Sequence, residues 1–185
     1  MNYRHAFHAG NFADCFKHAL LAWCVRAMQR KPKPVLFLDT HAGIGRYDLA
    51  GTEARRTGEF LAGIARLAEN PPAPLADYVA LATALGPHAY PGSPEILCML
   101  ARADDRVALA ELHPEDAATL RRLYRGRAQV HARDGYEALG ALLPPPEKRA
   151  LVLVDPPFES PDEFDRLAQA LHVADQKFRP ATVLA

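Results

Sequence analysis

Four short apolar runs, each ending in an acid, constrain this chain more than any other feature. Val35-Leu36-Phe37-Leu38 runs into Asp39, Arg106 to Ala110 into Glu111, Ala128 to Ala132 into Arg133-Asp134-Gly135, and Ala150 to Val154 into Asp155. Each run is too short for a helix and too uniformly apolar for a half-exposed strand, so each reads as a strand buried on both faces. Helical patterns separate them. Asn11 can cap a helix to about Gln29 that carries Phe12, Phe16, Leu20 and Trp23 at helical spacing. Thr57 can cap another with Phe60, Leu61, Ile64, Leu67 and Ala68 on one face, and a further helix fits Leu75 to Leu85 before a turn at Tyr90-Pro91-Gly92. Ser93-Pro94 and Pro114 open helices, and Ser160-Pro161-Asp162-Glu163 has the form of a capping box. Val183-Leu184 can begin a fifth strand. Alternating strands and helices specify an α/β fold, Rossmann-like, with a mainly parallel sheet. The helical stretch 47–103 is too long for one crossover and predicts an inserted helical subdomain. Residues 1–46 and 104–185 then form the main domain.

In such a sheet, ligands bind beyond the carboxyl ends of the strands, where all four acids fall. Asp39-Thr40-His41-Ala42-Gly43-Ile44-Gly45 is a Gly-rich turn in which Gly43 and Gly45 leave backbone open to a ligand. It lacks the third glycine of the dinucleotide fingerprint, since Asp48 stands at that place, and it has no P-loop lysine. A nucleoside without pyrophosphate suits it, with Glu111 accepting from both ribose hydroxyls. S-adenosylmethionine is such a ligand. Asp134 alone reads best as a helix cap. Asp155-Pro156-Pro157-Phe158 is the more specific motif. The Asp155 carboxylate and the Pro156 carbonyl can accept both N–H bonds of a planar exocyclic amine, and Phe158 offers a face for stacking a base. This motif resembles the amino-methyltransferase signature, an acidic or polar residue followed by two prolines and an aromatic.

The 185 residues carry 22 Lys+Arg against 22 Asp+Glu, so no overall charge draws the chain to nucleic acid or membrane. Charge is nevertheless segregated. Residues 1–34 hold six basic side chains and one acid, Asp14, and residues 121–133 hold five arginines and no acid. Both stretches, with Arg4 and Lys17 in the first and Arg121 to Arg127 in the second, read as candidate anion-binding faces or as solvated helix surfaces balanced by acids elsewhere. No apolar run is long enough to span a bilayer, and no signal-peptide core follows Met1. Cys15, Cys24 and Cys98 show no CxxC spacing and read as reduced thiols of a cytoplasmic protein. His5 and His8 lack a second ligand pair at finger spacing, so no metal is expected.

Tyr3-Arg4-His5-Ala6-Phe7-His8-Ala9-Gly10-Asn11 followed by Asp14 and Lys17-His18 resembles the N-terminus of the RlmJ family, the 23S ribosomal RNA adenine-N6 methyltransferases. The Leu38–Tyr47 segment, Tyr90-Pro91-Gly92-Ser93-Pro94, Glu111-Leu112-His113-Pro114, Asp134-Gly135 and Asp155-Pro156-Pro157-Phe158 follow in the same order. The resemblance implies a methyltransferase of the Rossmann-like class with a helical insertion. It implies S-adenosylmethionine contacts from His18, His41, Ser93, Glu111, Asp134 and Gly135, with Asp155 as the catalytic acceptor and Tyr3 near the target base. The implied substrate is one adenine of 23S rRNA, naked or in an early assembly particle. Family members continue beyond the equivalent of Ala185, which implies that C-terminal strands of the sheet are missing from this chain. Two other readings use the same residues: a DNA adenine-N6 methyltransferase, and a truncated module that binds S-adenosylmethionine or RNA without turnover.

Overall fold

The computed structural model describes residues 4–185. In chain order the elements are α1 (Phe12–Gln29), β1 (Leu36–Asp39), β2 (Arg46–Asp48), α2 (Thr52–Thr57), α3 (Arg66–Glu69), α4 (Ala76–Thr83), β3 (Ala89–Pro91), α5 (Ser93–Leu100), β4 (Arg106–Glu111), α6 (Pro114–Leu123), β5 (Gln129–Ala132), α7 (Gly135–Leu142), β6 (Ala150–Leu153), α8 (Glu163–Phe178) and β7 (Thr182–Leu184). Five strands form one sheet in the order β5-β4-β1-β6-β7, with every neighbouring pair parallel. Asp39 stands opposite Leu109 and Leu153, and Glu111 opposite Ala132, so the acid-bearing ends of the strands share one edge of the sheet.

Alternation along the strands divides the core in two. Phe37, Val107, Leu109, Leu151 and Leu153 point to the face covered by α1 and α5, where Leu21, Val25, Ile96 and Leu97 meet them. Leu36, Leu38, Ala108, Ala150 and Val152 point to the face covered by α7 and α8, against Leu139, Ala170 and Ala174. Every residue of β1 and β6 is buried, as their apolar sequences require, whereas the edge strand β5 departs from the expectation of burial on both faces, with Gln129 and Ala132 exposed. Helices on both faces of a parallel sheet make this a Rossmann-like fold. A two-stranded antiparallel ladder of β2 and β3 encloses residues 49–88 at their base, while α5 packs on α1 and the main sheet.

Several local expectations are corrected. The stripe Phe12, Phe16 and Trp23 faces outward, with 78%, 66% and 63% exposure. The inner face of α1 carries Asp14, Cys15, His18, Leu21, Ala22 and Val25. Both faces have helical spacing, and only the contact with α5 decides between them. Thr57 ends α2 rather than capping a helix. Gly58 follows in the left-handed region, and the chain then makes a wide turn at Leu61–Ala65. The kink lies at Gly63, where a Cβ would stand 2.0 Å from the Gly10 carbonyl oxygen, and Ile64 N–H donates to that same oxygen at 2.9 Å. The turn expected at Tyr90-Pro91 is strand β3. The Ser160 capping box does not form: α8 begins at Glu163, Ser160 bonds Asp162, and the Glu163 carboxylate turns inward to the Tyr136 hydroxyl. Among the described residues, no helix is long and apolar enough to cross a membrane.

Candidate active site

A cavity of about 500 Å³ opens at the acid-bearing edge of the sheet. One wall is made of strand tips. The first bend after β1 turns at Gly43, whose φ of +60° suits glycine and whose N–H donates to Glu111 Oε2 at 2.8 Å. Glu111 Oε1 accepts from His113 N–H at 2.8 Å. Burial raises the proton affinity of Glu111 against these two amides. Asp134 caps α7, its Oδ1 accepting from Tyr136 and Glu137 N–H, while Oδ2 accepts from Arg166 at 3.0 Å. Gly135 sits so close to β1 that a Cβ would lie 2.2 Å from the Thr40 carbonyl oxygen. His41 lines the cavity with Nδ1 2.8 Å from Thr40 Oγ1, and burial pushes its pKa down. Ser93, in the first turn of α5, is buried and lines the same space.

Two residues of the Gly turn behave differently from expectation. Asp39 lies fully buried behind the lining, its Oδ1 accepting from His41 N–H at 3.2 Å. Burial raises its pKa to about 6, with the nearby Ser93 hydroxyl opposing, although Oδ2 has no partner within hydrogen-bond distance. Gly45 serves packing: a Cβ there would fall 2.4 Å from the Tyr124 hydroxyl oxygen, so the missing side chain makes room for Tyr124.

The opposite wall is α1. Asp14 is buried and central, accepting from Gly10 N–H at 2.9 Å, with His5 Nε2 at 2.8 Å and Lys17 Nζ at 2.9 Å. Burial opposes its charge, but His18, His5 and Lys17 together hold its carboxyl well below the usual range. His18 Nδ1 lies 2.7 Å from the Tyr90 hydroxyl, which lies 3.0 Å from that of Tyr78. Burial drives the His18 pKa down to about 3, so the ring is neutral. Lys17 bridges the two walls, because its Nζ also stands 2.5 Å from Asp155 Oδ2. Burial opposes the Lys17 charge, but Asp14 and Asp155 hold its pKa above the usual lysine value.

Asp155 and the turn after β6 form the mouth. Pro156 is buried, and Phe158 is exposed with φ +51°. The Phe158 ring lies 4.9 Å from that of Phe164. Arg4 lines the rim, and Tyr3 lies outside the described residues. The structure thus gathers Arg4, Lys17, His18, His41, Gly43, Ser93, Glu111, Asp134, Gly135, Asp155, Pro156 and Phe158 around one space. Sequence reasoning missed the hub at Asp14 and the Tyr136–Glu163–Arg166 cluster on the far rim. The only local signal for the hub is the spacing of Asp14, Lys17 and His18, which share one helix face. Among the described residues, no group of three or more His, Cys, Asp or Glu side chains is arranged to hold a metal ion.

A family model described as "Ribosomal RNA large subunit methyltransferase D, RlmJ" matches residues 32–185. The chain is 40% identical over 186 residues to a protein of Escherichia coli named "Ribosomal RNA large subunit methyltransferase J", covering 96% of this chain and 66% of that one. It is 38% identical over 191 residues to a protein of the same name from Haemophilus influenzae, covering 98% and 68%. A crystal structure of a Legionella pneumophila protein superposes with a TM-score of 0.86 at 35% identity, covering 95% of this chain and 68% of the other. The chain spans about two thirds of the length of the curated relatives it matches.

Proposed function

The chain belongs to the RlmJ family of ribosomal RNA large subunit methyltransferases, and from that membership we propose that it methylates the exocyclic N6 of one adenine in 23S rRNA, using S-adenosylmethionine. The observation that carries the reading is the placement of Asp155-Pro156-Pro157-Phe158 at the end of β6, across one cavity from Gly43 and Glu111. The RNA is naked or held in an early assembly particle, and the work is done in the cytoplasm.

The residues present fit the methyl donor. Gly43 offers bare backbone to the cavity, and the two carboxylates Glu111 and Asp134 border it beside the close approach of Gly135 to Thr40. Glu111 would hold the ribose hydroxyls, with His41, Ser93, Asp134, Gly135 and the neutral His18 holding the remainder. When bound, the donor supplies a methyl group made electrophilic by its sulfonium charge. The chain's own task is then alignment of an incoming amine. Adenine N6 is a poor nucleophile because its lone pair is delocalised into the ring. The Asp155 carboxylate and the Pro156 carbonyl accept its two N–H bonds and draw the nitrogen toward tetrahedral geometry. As the N–C bond forms at the expense of the methyl–sulfur bond, whose electron pair stays on sulfur, the nitrogen becomes cationic, and its acidic proton passes to Asp155. A carboxylate is a strong enough base for that late step, because the proton it takes sits on a cationic nitrogen. Phe158 stacks the base, a contact worth about 1–3 kcal/mol. The base must leave its own stack to arrive there. Lys17 holds the Asp155 carboxylate in place at 2.5 Å, Arg4 on the rim would meet the RNA, and the family resemblance assigns Tyr3 to the target base.

Asp155→Ala tests the reading. Donor binding by calorimetry is expected to stay within a few-fold, while methylation of unmodified rRNA falls by about 10²–10⁴. Undiminished turnover removes Asp155 from the chemistry.

A further inference from the structure

Four of the five arginines of residues 121–133 lie at the end of α6 or in the turn that leads into the edge strand β5, and Arg133 follows the last residue of that strand. α6 ends in Arg121 and Arg122 and packs on β5, and the outer edge of β5 is unpaired among the described residues. Alternation along β5 sends Gln129 and His131 to the side away from Val130, which joins the core. Arg106, from the start of β4, reaches the same side and bonds Gln129 Oε1 at 3.2 Å. β5 ends at Ala132, so Arg133 stands directly before the cavity-lining Asp134. A strip of positive charge therefore runs from the rim along the strand for about 13 Å.

The charge on this strip is largely uncompensated. Glu147 neutralises Arg106, and Arg127 has Glu95 at 3.7 Å. Arg121, Arg122, Arg125 and Arg133 have no acid within ion-pair distance among the described residues. Burial pushes the His131 pKa down, and Arg133, Arg106 and Arg121 add to that shift. The macrodipole of α6 accounts for the two arginines of its last turn but not for Arg125 or Arg133. The other basic cluster, Arg30, Lys31 and Lys33, follows α1 and precedes β1. It therefore sits, like Arg125, at the end of the sheet remote from the cavity, but beside the central strand β1 rather than at the β5 edge.

We propose that the β5 edge, through Arg121, Arg125 and Arg133, is the track on which the phosphate backbone of the rRNA substrate docks, leading the strand to the cavity mouth. The proposal rests on the methyltransferase reading above and names where its substrate is held. The track reads charge and spacing rather than base sequence, so it supplies affinity while the Asp155 pocket supplies selection.

The test is a fluorescence-anisotropy titration of a labelled large-subunit rRNA fragment with the chain, over a series of KCl concentrations, beside calorimetry with S-adenosylmethionine. Arg121→Glu/Arg133→Glu is expected to weaken RNA binding about tenfold or more and to flatten the log–log salt dependence by about one to two units. The milder Arg121→Gln/Arg133→Gln is expected to fall between this variant and wild type. Lys31→Glu, at the remote cluster, is expected to change RNA affinity less than twofold, and all three variants are expected to keep the wild-type thermal midpoint and donor affinity. Equal RNA affinity and salt slope in wild type and both double variants overturns the proposal. So does a Lys31→Glu effect as large as theirs, which would make the attraction one of net charge. A wild-type chain that binds the donor but no RNA overturns the track and leaves the donor site standing. A chain that binds neither overturns both.

Discussion

The two walls of the cavity satisfy their carboxylates by different means. On the strand-tip wall, Glu111 and Asp134 accept from main-chain N–H groups, and Asp39 from that of His41. On the α1 wall, Asp14 is held chiefly by the side chains of His5 and Lys17, and Lys17 in turn reaches Asp155, 138 residues away. Main-chain donors come with the turn itself, so they tolerate change in neighbouring side chains. Side-chain donors make a network in which each member depends on the others.

If that contrast is right, the largest effect falls on the α1 wall. Asp14→Ala leaves Lys17 and the two histidines without their shared anion, and removing one partner of a buried pair costs about 3–5 kcal/mol. Urea unfolding measures it, and a loss under 1 kcal/mol would place the network in solvent rather than in the core. The strand-tip wall is limited instead by space. Gly135→Ala drives a methyl against the Thr40 carbonyl, a backbone atom that cannot swing aside, and is expected to cost about 1–3 kcal/mol together with donor affinity.

Titration separates the walls by sign. His18 has a folded pKa of about 3 against 6.5 for a free histidine, so the unfolded chain binds the extra proton between those values and stability rises with pH there. Asp39 has a folded pKa of about 6 against 3.8, so the folded chain holds the extra proton and stability falls with pH over that window. Between pH 4 and 6 the two contributions oppose each other, each with a slope of at most about 1.4 kcal/mol per pH unit. Asp39→Asn is expected to steepen the rise of stability with pH in this window, and His18→Asn to flatten or reverse it. Chemical denaturation at pH 4, 5 and 6 reads the slopes, and parallel curves for both variants would break the assignment. The smallest expected effect is Asp134→Ala, about 1 kcal/mol for a lost helix cap. A loss of donor affinity well beyond that figure would sharpen the comparison, by showing that Asp134 does more than cap.

The same difference explains what could be read from the sequence. The strand tips were legible because each acid follows its own apolar run, and the partners of Glu111 and Asp134 include N–H groups two or three residues on. Four strands of the sheet and their parallel direction followed from those runs, and the fifth strand from Val183-Leu184. The α1 wall was legible only in the shared helix face of Asp14, Lys17 and His18, because the bonds of Lys17 to Asp155 and of His18 to Tyr90 close over 138 and 72 residues, which no local pattern encodes. The helix also misled: Phe12, Phe16 and Trp23 are its largest side chains, yet the inner face goes to smaller ones, apolar and polar, that allow α5 and the cavity to come close. Gly45 was legible as a glycine with a purpose, but its beneficiary is Tyr124, contributed 79 residues later.

The contact of Gly135 with Thr40 has one more consequence. With no room for even a methyl group between them, the bend after β1 and the start of α7 are locked into a single rigid jaw. A bulkier guest therefore gains no room at this junction, and any space for it has to come from other parts of the lining.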